Sequence, residues 1–139
     1  MKMLGNLFGK RNIELTPRLA LAVASIYIIS ADGYIPDEEV GSLATIFGGD
    51  EGIIETAVEY VKQNSDAMTN VSKIANILSA EQKEIVIINL LDVLLADGEA
   101  SETEKEIFFK FAEAFNFDQA KLEPIFDIIS KKNSISLLS

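Results

Sequence analysis

The chain has 139 residues, 48% of them hydrophobic, a size and composition that suit one domain with a real core and exclude a disordered protein. It has no cysteine and no histidine, which removes disulfides, thiolate metal sites, thiol redox chemistry, the usual zinc ligand and the usual general base near neutral pH. Twenty-two acids against 12 bases give a net charge of −10, which argues against nucleic acid as a partner, because phosphates need a basic face.

Residues 1–14 read as a short basic tail with Leu4, Leu7 and Phe8 at helical spacing. The plain reading is a frayed end on its own domain. The other is an amphipathic turn that touches a membrane surface or a protein partner. No secretory signal is recognised, so the expected location is cytoplasmic.

Thr16-Pro17 opens a first long helix, with threonine as cap and proline at the first helical position, running to about Ala31. It is apolar nearly all round and should be central. A second helix runs from about Pro36 to Phe47 and stops at Gly48-Gly49. Asp50 caps a third, whose stripe is Ile53, Ile54, Ala57, Val58 and Val61. Asn64-Ser65-Asp66 breaks the chain, and Val71, Ile74, Ile77 and Leu78 mark a fourth. Ser79 with Gln82 is a capping box that opens a fifth, ending at Ala96. Ser101 with Glu104 is another box and opens a sixth, with Ile107, Phe108, Phe111, Ala112 and Phe115 on its apolar face. Phe109 falls off that stripe and is a candidate partner contact. After Asn116-Phe117-Asp118 a seventh helix reaches about Lys132, with a reset expected near Pro124. Residues 133–139 form a tail expected to be disordered. No strand pattern appears. The longest apolar runs, Leu19 to Ile29 and Ile85 to Leu95, fall short of the roughly 20 residues a membrane span needs, so no transmembrane segment is expected.

Two of these stretches echo one another. Ser25 to Glu39 and Asn89 to Glu104 each carry an apolar segment into Ala-Asp-Gly and then into an acidic helix start. Asp32 matches Asp97, Gly33 matches Gly98, and Glu39 matches Glu104. One helical hairpin cannot bury both faces, whereas two related hairpins can cover each other. The expected fold is therefore all-α: a single helical bundle of about seven helices over residues 15–132, built from two pseudo-symmetric helical-hairpin halves.

The acids concentrate around the two turns. Between Arg18 and Lys62 stand eight acids and no base, and between Lys83 and Lys105 six acids and no base. If the halves pack symmetrically, the two turns share one side of the molecule. Carboxylate oxygens are what hard cations prefer, so Asp32, Glu39, Asp97 and Glu104 are candidate ligands for Ca²⁺ or Mg²⁺, with Asp92 a candidate addition. The competing reading gives these side chains turn and cap duty alone. The pattern is not an EF-hand, since neither turn has the Asp-x-Asp-x-Asp-Gly ladder. Nothing marks a nucleophile or substrate pocket, so no enzymatic activity is expected.

The doubled pattern, an apolar helix ending Ala-Asp-Gly and an acidic helix with Glu seven residues after the Asp, resembles the tellurite-resistance TerB family, to which the N-terminal domain of DjlA-type co-chaperones is related. The likeness covers about Leu15 to Lys132. Pro36 departs from the family's small polar residue before the acidic helix, and Tyr34 replaces a frequent acid. The resemblance implies an all-α module of stress resistance, beside a basic or membrane-associated protein partner, with Asp32, Glu39, Asp97 and Glu104 on its metal-binding surface. Tellurite reduction needs thiols or a redox cofactor, so a cysteine-free chain would act by binding, sensing or scaffolding. The alternative is a protein–protein adaptor or homo-oligomeric scaffold with purely structural acidic turns, Phe109 and Leu137-Leu138 being candidate contacts.

Overall fold

A computed structural model describes residues 12–96 and 100–139. The described chain is all-α, with α1 (Pro17–Ile29), α2 (Asp37–Leu43), α3 (Glu51–Gln63), α4 (Ala67–Ile77), α5 (Ala80–Leu95), α6 (Glu102–Ala114) and α7 (Gln119–Lys132). Two 3-10 turns, Ala44–Phe47 and Ile135–Leu138, complete it.

The capping chemistry read from the sequence sets most of the helix starts. The Thr16 hydroxyl accepts the Leu19 N–H at 3.3 Å, with Pro17 at the first helical position. Asp50 accepts from the Ile53 N–H at 3.2 Å. Both capping boxes, Ser79 with Gln82 and Ser101 with Glu104, form in full. Asp66 and Asp118 cap α4 and α7 in the same manner. After α2 and its 3-10 turn, Gly48 and Gly49 take φ of +66° and +87°. These left-handed conformations stop the chain where glycine alone is unstrained.

The core is built round α1. Every residue from Leu19 to Ile28 is buried, and α2, α3, α4, α5 and α6 all pack on it. A helix without an exposed stripe must be surrounded, which is why this one occupies the centre. Its one buried polar side chain, Ser25, donates to the Leu21 carbonyl at 2.8 Å and so leaves nothing unsatisfied. The α6 face supplies Phe108 and Phe111, both fully buried, each contributing about 1.5–3 kcal/mol by removal of apolar surface from water.

Polar contacts fix the joints. Arg18 donates to the Phe47 carbonyl at 3.1 Å and lies over the Phe47 ring at 5.1 Å, tying the start of α1 to the glycine turn. Tyr27 donates to the Asn64 carbonyl. Tyr60 donates to Asn70 Oδ1 at 2.7 Å, and Asn70 Nδ2 donates to the Asp66 carbonyl at 3.0 Å. Together these pin the 64–66 turn between α1, α3 and α4.

Three local expectations are corrected: residues 133–139, expected to be a disordered tail, instead include a 3-10 turn over Ile135–Leu138. The second helix is α-helical only from Asp37 to Leu43 and tightens to 3-10 geometry over Ala44–Phe47. The seventh is not reset at Pro124 but runs unbroken from Gln119 to Lys132. Pro124 is exposed, so water can take the Ala120 carbonyl that the missing N–H leaves unpaired.

Candidate functional site

The first acidic turn follows the end of α1. Ile29 closes the helix, Ser30 caps it, and Gly33, at φ +105°, donates its N–H to the Ser30 carbonyl at 3.0 Å. Asp32 stands exposed within this turn. Pro36 precedes α2 without any side-chain cap, and Asp37, Glu38 and Glu39 fill the first helical turn, where the helix dipole favours negative charge. Glu39 is exposed as well.

In the second copy, Glu104 is half-buried and works in its capping box. One of its carboxylate oxygens accepts the Ser101 N–H at 3.0 Å, while its own N–H donates to Ser101 Oγ at 3.1 Å. Asp97, with Gly98 and Glu99, lies outside the described residues, so the expected meeting of Asp97 with Asp32 is not placed. Among the described residues, no group of three or more Asp or Glu side chains gathers closely enough to hold an ion. Asp92 turns elsewhere: it accepts from Lys132 Nζ at 2.9 Å and from Asn133 Nδ2 at 3.4 Å, bracing α5 to the end of α7.

A different feature stands out beyond that brace. Where α3 lies along α1 and buries Ile54, Ala57, Tyr60 and Val61, α7 packs chiefly on α5 and fully buries Ile129 alone, with Leu122 and Ile125 partly covered by the core. Between α5, α6 and α7 lies an open groove of about 920 Å³. Leu91, Leu94 and Leu95 of α5 contribute to it, with Phe108, Phe109 and Ala112 of α6, Phe117 of the turn, and Leu122 and Phe126 of α7. Phe109 is 55% exposed and Phe126 46% exposed. Glu113, Asp118 and Glu123 line the groove alongside Lys105. Lys105 reaches back toward Glu102 at 3.5 Å, and nearby Lys121 donates to the Asn116 carbonyl at 3.1 Å. The groove is thus apolar inside and acidic at its edge. Its volume falls within the range of built ligand sites.

Phe109, which breaks the α6 stripe in the sequence, is exposed at the groove. Phe126 and Leu122 were not singled out. Their signal is the run Leu122, Ile125, Phe126 and Ile129, spaced i, i+3, i+4, i+7 on a helix that buries only its last member. A stripe in the sequence does not say whether its own domain covers it.

Among the described residues, no helix is long and apolar enough to cross a membrane. No curated protein and no solved structure matches the chain. The family described as Tellurite resistance protein TerB matches residues 18–125, which include α1 to α6, the acidic turns and the start of α7. With that match across most of its length, the chain belongs to the TerB tellurite-resistance family.

Proposed function

We propose that this TerB-family module is a non-enzymatic adaptor that takes a basic, amphipathic segment of a protein partner into the groove between α5, α6 and α7. The observation that carries this reading is an open aromatic groove edged by Glu113, Asp118 and Glu123. Exposed apolar surface of that kind marks interaction sites, and aromatic side chains supply much of the energy where helices dock. The acidic edge selects for Lys and Arg on the partner and speeds encounter. The net charge of −10 adds to the same field.

The test is an amide-shift titration of the labelled chain. The probe is a synthetic 14-residue peptide with Leu and Phe at i, i+3, i+4 and i+7 and Lys elsewhere; its twin carries Glu in place of Lys. Shifts confined to the groove, given by the basic peptide and lost in Phe109→Glu, support the adaptor. Shifts that are absent, scattered or equal for the acidic twin contradict it.

A second reading is a Ca²⁺ or Mg²⁺ site formed by Asp32, Glu39, Asp97 and Glu104. The repeated Asp-to-Glu spacing favours it, as does the exposure of Asp32 and Glu39. An ion bound only to the native state at a hundred times its Kd adds about 2.7 kcal/mol. A melting shift on adding Ca²⁺ or Mg²⁺ that vanishes in Asp97→Asn would establish the ion site; no shift with either would remove it.

A further inference from the structure

An apolar groove with an acidic edge calls for an apolar, basic occupant, and one region of the described surface has that chemistry. The four most exposed large hydrophobic residues among those described are Ile128, Ile135, Leu137 and Leu138, between 70% and 86% exposed. All four fall in residues 128–139, which hold Lys131 and Lys132 and no acid. Single exposed apolar residues are ordinary, but their concentration in one short segment marks an interaction surface. The stripe read at Leu4, Leu7 and Phe8 lies outside the described residues.

The segment is held in shape by its own hydrogen bonds rather than by packing. The Ser134 hydroxyl donates to the Ser130 carbonyl at 2.6 Å, and the Leu137 N–H donates to the Ser134 carbonyl at 3.1 Å. No residue of the Ile135–Leu138 turn is buried. An apolar projection already ordered in water loses less freedom on docking than a free chain does.

This turn does not serve its own groove. The groove takes Gln119, Leu122, Glu123 and Phe126 from the first half of α7, and among the described residues none beyond Phe126 lines it. Ile135 lies roughly 13 Å farther along the helix direction at 1.5 Å per residue. Asp92 holds Lys132 and Asn133 there, at 2.9 and 3.4 Å, which fixes the turn at the far end of α7. The groove that such a turn can enter therefore belongs to another molecule. The charges match. Glu113, Asp118 and Glu123 edge the groove, and exposed Lys131 stands just before the turn. Opposite charges on the two surfaces steer encounter and fix register. Two copies at net charge −10 repel at long range, but at physiological salt that repulsion is screened beyond about 8 Å.

We propose that the occupant of the α5–α6–α7 groove is a second copy of this chain, whose Ile135–Leu138 turn seats Leu137 and Leu138 on Phe109 and Phe126. The inference rests on the groove reading above and names the occupant. Groove and turn lie on different parts of the surface, so the contact is head-to-tail. A foreign basic helix competes with the second copy for the same groove.

Two variants separate the halves of the contact. Leu137→Glu with Leu138→Glu removes the turn and keeps the groove. Phe109→Glu with Phe126→Glu removes the groove and keeps the turn. Sedimentation at about 0.15 M salt should show the unaltered chain gaining mass with concentration. Each variant alone should stay monomeric, and the two mixed should pair one to one. Adding the unlabelled groove variant to the labelled turn variant should shift the amides of Leu94, Ala112 and Leu122. If the groove variant does not fold, a synthetic peptide of residues 128–139 takes its place, with the same shifts expected. An unaltered chain that stays monomeric up to about 1 mM would overturn the proposal. So would a variant that still self-associates alone, or a mixture that fails to pair. If mixing shifts nothing while the designed basic peptide still shifts the groove amides, only the second copy is lost as occupant. If that peptide fails too, the groove reading goes with it.

Discussion

Tyr27 shows how one buried side chain ties stability to pH. Burial, reinforced by the nearby Tyr60 and Asp66, pushes its hydroxyl well above the ordinary value of 10.0, and burial raises Tyr60 as well. A folded-state pKa above the unfolded one means the folded chain prefers the protonated form. The contribution is therefore complete below about pH 10 and declines as pH rises beyond it. The melting temperature should hold from pH 7 to about 9.5 and fall steeply above 10. Tyr27→Phe should lower neutral stability by about 1–3 kcal/mol, because the Asn64 carbonyl loses its donor, and should flatten the alkaline fall. A thermal melt series across pH checks both halves. The capping boxes allow a second residue-scale test. Ser101→Ala should cost about 1 kcal/mol in denaturant unfolding, whereas Glu104→Gln should cost little, since glutamine keeps the box. If Glu104→Gln instead abolished a cation-induced melting shift at unchanged stability, its charge would have a role beyond the cap.

At the scale of elements, caps were legible and helix interiors less so. Thr16-Pro17, Asp50, Ser79 with Gln82 and Ser101 with Glu104 act as read, because a cap is a local contact between a side chain and a backbone N–H three residues on. Pro124 misled for the same reason. Proline penalises a helix locally, but α7 continues because its caps, Asp118 and the Asn133 end, and its contact with α5 outweigh one missing bond on an exposed face. The penalty remains in the stability. Pro124→Ala should raise stability by up to about 3 kcal/mol and lift the melting temperature, a gain that would be absent if the proline were required to bend α7. The Asp92–Lys132 bridge is half-exposed and adds only about 0–1 kcal/mol, so Asp92→Asn should scarcely change the melt.

For the whole molecule, the all-α bundle could be read from periodicity and caps, and the centrality of α1 from its lack of a polar face. The groove could not. The α7 stripe looks in sequence like any other core-facing stripe, and only packing reveals that Phe126 is left largely exposed and that Leu122, partly covered by the core, borders an open groove. Whether the acidic turns meet was likewise beyond composition, since Asp32 and Asp97 are 65 positions apart and their approach depends on how the hairpins sit. The core and the groove should separate cleanly on substitution. Phe108→Ala should cost about 3–5 kcal/mol, while Phe109→Glu, at a ring 55% exposed and edge-on to Phe108, should cost only about 1 kcal/mol.

The most direct measurement is growth on tellurite of a host lacking its own TerB-family protein and supplied with this chain. The account predicts that the unaltered chain restores growth, that Phe109→Glu with Phe126→Glu, at normal protein level and melting temperature, does not, and that Asp32→Asn with Glu39→Gln still does. Full resistance from the groove variant, with loss from the acidic-turn variant, would contradict the account and move the activity to the carboxylates.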